Sequence, residues 1–448
     1  MIIRQSNFSV PDVIMMFIVF VECVVITWGL SGTSEYTSIA MALPAGALYV
    51  LSSFFRRPSN TYLARLMPWL LLLLLAVCAV QYFNYRDVVF TRDGYTGIAK
   101  TEYISWLPTS SFAEYYKGNP IRSAVDIGGA LCLAISCCSL FEDKRIRNFT
   151  LISVVLNAAL MGVFAMFQRR WEWPTIYNIF YTTGEFYGSF PLSNACSAFL
   201  NMAAAAAFSL SLYCWNRGRR ALFLLSFVSA IALVLAVFAS PSRGAAAMCA
   251  AYLASAALVL LLGRIFGMRA YLWGVSALML VACILAPIFT YELYGPNLMH
   301  IDSKDSAVAS LKSRFQMYEI SKGIVAENPM WGVGGNSCQF HLSGEMVKKQ
   351  DVSAPNDIST ARHSHCDMLE YMAEFGLIGL IAILAAFVAL LVDLAIVGMS
   401  AEAFLLFAGA AMCVFHSFFD IHLHIPSTMY LLGVVVVGAL YTAKVRRR

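Results

Sequence analysis

An all-helical, polytopic membrane bundle is the fold class this sequence predicts, and three observations predict it. The 448 residues are 60% hydrophobic and only 13% charged, with mean hydropathy +0.70, whereas a soluble domain is about half apolar and about a quarter charged. Apolar runs recur at roughly 13–30, 38–55, 66–83, 122–140, 149–167, 192–214, 221–240, 243–262, 270–290, 376–398, 401–419 and 426–443. That makes about twelve helices, each near the ~20 residues that a membrane span requires. Finally, the short basic clusters all fall on one side of this series.

The first run, 13–30, is long and no small-x-small cleavage site follows it, so it reads as a span rather than a removable signal. Arg56, Arg57 and Arg65 follow the second run, and Lys144, Arg145 and Arg147 the fourth. Arg217, Arg219 and Arg220 follow the sixth, Arg264 and Arg269 the eighth, and Lys444, Arg446, Arg447 and Arg448 the last. Each cluster comes after an even-numbered span, so the positive-inside rule places both termini in the cytoplasm. The two long polar loops, near 84–121 and 291–370, then lie outside. The chain divides into residues 1–290 with nine spans, a large, partly helical outer loop over 291–370, and residues 371–448 with three spans. A net charge of +5 in such topogenic clusters excludes nucleic acid as a partner and leaves membrane lipids.

The spans carry few ionisable groups, chiefly Glu22, Asp126, Asp393 and Glu402, and no internal repeat is evident. Both facts weaken a proton- or ion-coupled transporter, which needs charge near the midplane. All seven histidines fall in outer loops or at outer ends of spans. Most cysteines sit inside apolar runs as small hydrophobes, and no CxxC pair exists; Cys338 and Cys366 share the large loop and are open to pairing. The first outer loop is rich in aromatic residues (Tyr85, Tyr103, Trp106, Phe112, Tyr115), which suit interfacial anchoring or sugar stacking.

Four outer features could carry chemistry. Arg169 and Arg170 end the fifth span against the positive-inside bias, so they bind an anionic group or snorkel to lipid phosphates. Arg243 sits in the tight turn Pro241-Ser242-Arg243-Gly244, where a guanidinium fork with few conformations fits a phosphate or a lipid headgroup. Arg314 opens a helix-like stretch ending at Asn328-Pro329, followed by a GVGGN turn that lacks the Walker lysine or the Rossmann context of a phosphate cradle. The fourth is HSHCDMLEYMAEFG. Ser364 and Asp367 have capping-box-like spacing, predicting a helix from His365 that would set its ring beside free backbone N–H groups, where a neutral imidazole fit for base catalysis is favoured. Asp367, Glu370 and Glu374 share one face of that helix. A capped, solvated loop histidine is the alternative for His365. His363-x-His365 and His422-x-His424 also permit a metal site, with no geometry to decide it.

The order of these motifs carries a resemblance. GxxxxxN from Gly188 to Asn194, SRG at 242–244, NPxxGxGxN ending at Asn336 behind Arg314, and HxxxLExxxExGxxG from His365 to Gly379 resemble the O-antigen ligase and O-antigen polymerase family. HSFFDIHLHIPSTMYLLG from His416 is similar to a further family segment. The resemblance implies a GT-C-like glycosyltransferase of the bacterial inner membrane with its active site on the periplasmic face. Its donor would be a glycan on undecaprenyl diphosphate, and its acceptor lipid A-core or another lipid-linked glycan. His365 matches the catalytic histidine, Arg243 and Arg314 the diphosphate-binding arginines, and Arg169 or Arg170 a third. Ser364, Asp367, Glu370 and His363 would support the site. The family pattern has asparagine after the histidine, where this chain has Cys366. No cofactor, metal or nucleotide is implied, because the donor carries its own leaving group, and direct attack predicts inversion. Ligase and polymerase share these residues. A protein O-oligosaccharyltransferase of the same family and a lipid-linked glycan exporter are the other readings.

Overall fold

A computed structural model describes residues 8–92, 95–113, 119–181, 185–266, 306–349 and 362–445. The ninth apolar run, 270–290, and His300 lie outside the described residues. The other eleven runs are helices: α1 (Val10–Trp28), α2 (Glu35–Phe55), α3 (Tyr62–Phe83), α4 (Pro120–Leu140), α5 (Lys144–Arg170), α6 (Ser193–Asn216), α7 (Arg220–Ala239), α8 (Arg243–Phe266), and then, beyond two polar helices, α11 (Asp367–Val397), α12 (Ala401–His416) and α13 (Pro426–Val445). Among the described residues, nine are long and apolar enough to cross a membrane, with shorter apolar helices at Arg243–Val259 and Ala401–His416. The two polar helices are α9 (Ser306–Glu327) and α10 (Cys338–Lys349). The chain is a polytopic membrane protein of helical architecture.

Small residues set the close packing. Helix α6 is buried over most of its length, and its run Ala203–Ala207 lets neighbours approach. Gly409 of α12 lies so close to Ala205 that a Cβ there would overlap it. Polar groups hold the two ends of the bundle. At one end, the Asp393 carboxylate accepts from the N–H groups of Tyr62 and Leu63 at 2.9 and 2.8 Å, capping α3. At the same end, Glu142 accepts a hydrogen bond from the Ser59 hydroxyl and pairs with Lys444. Asp126 pairs with Arg122 of its own helix, and Glu402 accepts from Asn216. Glu22 alone of the four intramembrane acids has neither oxygen hydrogen-bonded among the described residues.

The opposite end carries the polar elements. The loop near 84–121, read from sequence as an aromatic-rich outer loop, holds a three-stranded sheet of β1 (Tyr85–Arg92), β2 (Tyr95–Lys100) and β3 (Ser110–Ala113) in the order β2-β1-β3. The β1–β2 pair is antiparallel and β1–β3 parallel. Its signal was the run Val88-Val89-Phe90, with Asp93-Gly94 before the next strand, a hairpin dipeptide. The sheet braces α9 and α10: Arg86 donates to Asn328 at 2.9 Å and reaches the His341 ring, and Ser111 N–H donates to Ser337.

Candidate active site

Two side-chain clusters form where α11 begins and the segment between α12 and α13 returns. The capping box expected from Ser364 and Asp367 does not form. Helix α11 starts at Asp367 behind Cys366, with no side-chain cap. Both expected capping groups are drawn to other partners. The Ser364 hydroxyl bonds Glu370 and the Cys366 backbone. The Asp367 carboxylate accepts from the N–H groups of His422 and Leu423 at 2.8 and 2.7 Å and from His424. His365 therefore lies before the helix rather than in its first turn, with φ of 56°, a left-handed conformation rare for a non-glycine residue. Its carbonyl accepts from the Tyr318 hydroxyl of α9 at 3.0 Å, which anchors the strained residue from outside.

The first cluster centres on Asp420. His365 Nδ1 meets Asp420 Oδ1 at 3.1 Å, and because a carboxylate only accepts, Nδ1 carries the hydrogen. Arg314 Nη2 lies 3.2 Å from Asp420 Oδ2, while its Nη1 donates to the Phe419 carbonyl. The Asn194 amide donates to the same Oδ2, and the Ile421 N–H to Oδ1. Burial works against ionisation of Asp420, but the His365 hydrogen bond and the Arg314 guanidinium hold its carboxyl far below the usual range. Glu185, Leu192, Ser193, Asn194, His365, Asp420 and Ile421 line a pocket of about 200 Å³. With Nδ1 engaged, Nε2 is the nitrogen His365 has left for a substrate.

The second cluster is a buried charge network behind the first. His363 Nδ1 bonds Glu370 at 2.7 Å, and His424 Nδ1 bonds Asp367 at 2.7 Å. The His424 ring stacks on Tyr371 at 4.2 Å, with Glu370 and Glu374 at 3.8 and 3.7 Å from Nε2. Burial opposes charge on His424, but Glu370 above all, with Tyr371 and the Asp367 hydrogen bond, raises its pKa well above 6.5. Ligand atoms of Glu370, Glu374 and His424 lie within 4.8 Å of one another, a grouping that could hold a metal ion. The two H-x-H pairs are split: His363 turns to Glu370 and His365 to Asp420. His422 packs on His416 at 4.2 Å, fully buried.

Of the expected anion binders, Arg314 joins the His365 cluster directly. Arg243 opens α8 as an exposed residue next to Gly244, where a Cβ would come within 2.9 Å of His416 Nε2; no contact among the described residues ties the Arg243 side chain to the pocket. Arg169 and Arg170 are exposed at the end of α5, where Arg169 donates to the Ala239 carbonyl; no contact among the described residues ties them to the pocket. The GVGGN turn docks on α11: Val333 and Gly334 N–H donate to the carbonyls of Ala373 and Glu374 at 2.7 and 2.9 Å, and Leu377 N–H donates to Pro329. Cys338 and Cys366 are buried free thiols. Sequence reasoning passed over Asp420 and Glu185, and gave Asn194 no role. Asp420 had one signal, as the lone acid in the polar HSFFDIHLH return between two apolar runs.

Residues 228–384 match the family model described as O-antigen ligase. The matched stretch contains Arg243, Arg314 and His365, while Asn194 and Asp420 lie on either side of it. No curated protein matches the chain.

Proposed function

We propose that this chain, which carries an O-antigen ligase family domain over residues 228–384, is a glycosyltransferase of the bacterial inner membrane. It moves a glycan from undecaprenyl diphosphate to an acceptor hydroxyl of lipid A-core or a lipid-linked glycan on the periplasmic face. Family membership supports glycosyl transfer between lipid-linked substrates at the general level. The observation that carries the finer reading is the His365–Asp420–Arg314 constellation on a pocket wall.

In this mechanism Asp420 fixes the His365 tautomer, and Nε2 takes the acceptor hydroxyl's proton as its oxygen attacks the anomeric carbon. The anomeric C–O bond to the diphosphate breaks with inversion, and the bond's electron pair leaves on the diphosphate. Base catalysis of this kind contributes roughly 10²–10⁴ in rate. In this reading Arg243, exposed at the start of α8, meets the departing charge; one guanidinium at close range stabilises it by at most ~4 kcal/mol at an effective dielectric near 20. Arg314 contributes its charge through Asp420 as well as to the diphosphate. The scheme calls on neither metal nor nucleotide.

The test uses purified protein in lipid with undecaprenyl-diphosphate glycan and an acceptor panel, with chelator and without nucleotide. Transfer by the wild type that collapses in His365→Ala and Arg314→Ala is the expected result, and the working acceptor separates ligase from polymerase. Full activity of His365→Ala would remove the base. Donor movement across the bilayer without transfer would replace the enzyme by an exporter.

A further inference from the structure

Two acidic residues line the pocket, and they differ in how the protein uses them. Both oxygens of Asp420 are engaged by His365, Arg314, Asn194 and Ile421. Glu185 is exposed, and its carboxylate has no hydrogen-bond or ion-pair partner among the described residues. Its backbone is nonetheless anchored. The Ser193 N–H donates to the Glu185 carbonyl at 2.9 Å, tying it to the first turn of α6. The following turn is buried: Tyr187 and Phe190 pair across it, the Ser189 hydroxyl donates to the Thr27 carbonyl, and Gly188 at φ +61° sits against Met161. A residue with an unpaired carboxylate is thus anchored through its backbone on the wall of the pocket that His365 also lines.

The pocket's volume of about 200 Å³ suits a single sugar ring. Its charges are unevenly placed. Arg314 pairs with Asp420, and Arg243 opens α8 next to Gly244, which packs on His416, whereas Glu185 lies on the wall formed with the start of α6. A diphosphate is attracted to the arginine side and repelled by Glu185. Hydroxyl groups, by contrast, donate strong charge-assisted hydrogen bonds to a carboxylate.

We propose that Glu185 selects the acceptor, accepting hydrogen bonds from hydroxyls that flank the attacking one on a neutral, diol-bearing sugar and disfavouring a sugar phosphorylated beside that position. The inference rests on the glycosyl-transfer reading above and names the acceptor class for that site. Attraction to neutral sugars and repulsion of anionic ones act together, so discrimination exceeds what either would give alone.

The experiment compares wild type, Glu185→Ala and Glu185→Gln with one donor and two acceptors, a neutral glycan and the same glycan phosphorylated next to its reactive hydroxyl. Glu185→Ala is expected to raise the neutral-acceptor KM about tenfold or more, to leave the donor KM unmoved and to narrow the preference over the phosphorylated acceptor. Glu185→Gln keeps an acceptor oxygen without the charge, so it should restore part of the neutral-acceptor affinity but not the discrimination. Unchanged acceptor KM and preference in Glu185→Ala, with wild-type transfer intact, would overturn this inference and leave the enzyme reading standing. Equilibrium binding of the neutral glycan to His365→Ala and to His365→Ala/Glu185→Ala decides the point without turnover. Weaker binding by the double variant supports the inference, and equal binding overturns it.

Discussion

Asp420 and His365 meet at 3.1 Å across 55 residues of sequence, joining the end of one polar segment to the return between two apolar helices. The carboxylate is buried and shared with Arg314, so its hydrogen bond fixes the orientation of the ring. Asp420→Asn keeps the size of the side chain but allows its amide to donate toward Nδ1, which favours the wrong tautomer. A loss of transfer of roughly 10²–10⁴ is expected, close to that of His365→Ala. Single-turnover rates at saturating donor would measure it, and a rate near wild type would mean that Asp420 only neutralises Arg314.

Arg314 and Arg243 should separate kinetically. Arg314 uses one nitrogen on the Phe419 carbonyl and another on Asp420, a fork that lysine cannot reproduce. Arg314→Lys is therefore expected to lower kcat by about 10-fold or more, with a smaller change in donor KM. Arg243 is exposed with no acidic partner among the described residues. Arg243→Ala should instead raise donor KM, more so at low salt, where screening is weak. Steady-state titration of donor at two ionic strengths distinguishes the patterns, and identical profiles for both variants would contradict the division.

The scaffold was legible because apolar length is a strong local signal: eleven runs are helices, most within a few residues of their expected bounds, while the helix expected from 376 begins at Asp367. His365, Arg243 and Arg314 were singled out by resemblance to a family pattern, and the structure gathers His365 and Arg314 on Asp420. Asp420 was not, because its importance lies in a long-range hydrogen bond, and nothing in the local stretch Phe418–Ile421 distinguishes an orienting acid from a loop acid. The capping box at Ser364 and Asp367 failed for the opposite reason. Its local spacing was sound, but the tertiary partners Glu370, His422 and His424 took both side chains. The sheet over Tyr85–Ala113 lay in a stretch whose aromatics invited an interfacial reading, which masked its β-branched run.

The His424 network gives a stability prediction with a definite sign. Folding raises the His424 pKa well above 6.5, so the folded state binds the proton more tightly than the unfolded chain. That contribution is fully present below the unfolded value and is lost as pH rises through the elevated folded value. Thermal midpoints in detergent should accordingly fall on the alkaline side of neutrality. His424→Gln should be less stable at pH 6 and show a flatter alkaline slope. A wild-type curve that instead gains stability with rising pH across this range would show that the ring is buried neutral.

Gly376 is where α11 and the turn after Asn328 meet. It sits inside the helix with φ of 61°, and a Cβ there would run into the Met330 carbonyl and the Trp331 N–H. The kink lets Leu377 N–H reach the Pro329 carbonyl while Ala373 and Glu374 carbonyls receive Val333 and Gly334. Alanine would combine a left-handed backbone, roughly 1–3 kcal/mol, with overpacking of similar size. Gly376→Ala is therefore expected to destabilise the fold by several kcal/mol and to displace Glu370 and Glu374 from the charge network. A surface change such as Gly344→Ala, at a position with open space around its Cβ, should leave the thermal midpoint nearly unmoved. Equal midpoints for the two variants would show that the turn does not depend on the kink. A selective loss in Gly376→Ala would assign the glycine-rich motif to holding α11, and with it the approach to His365, rather than to cradling phosphate.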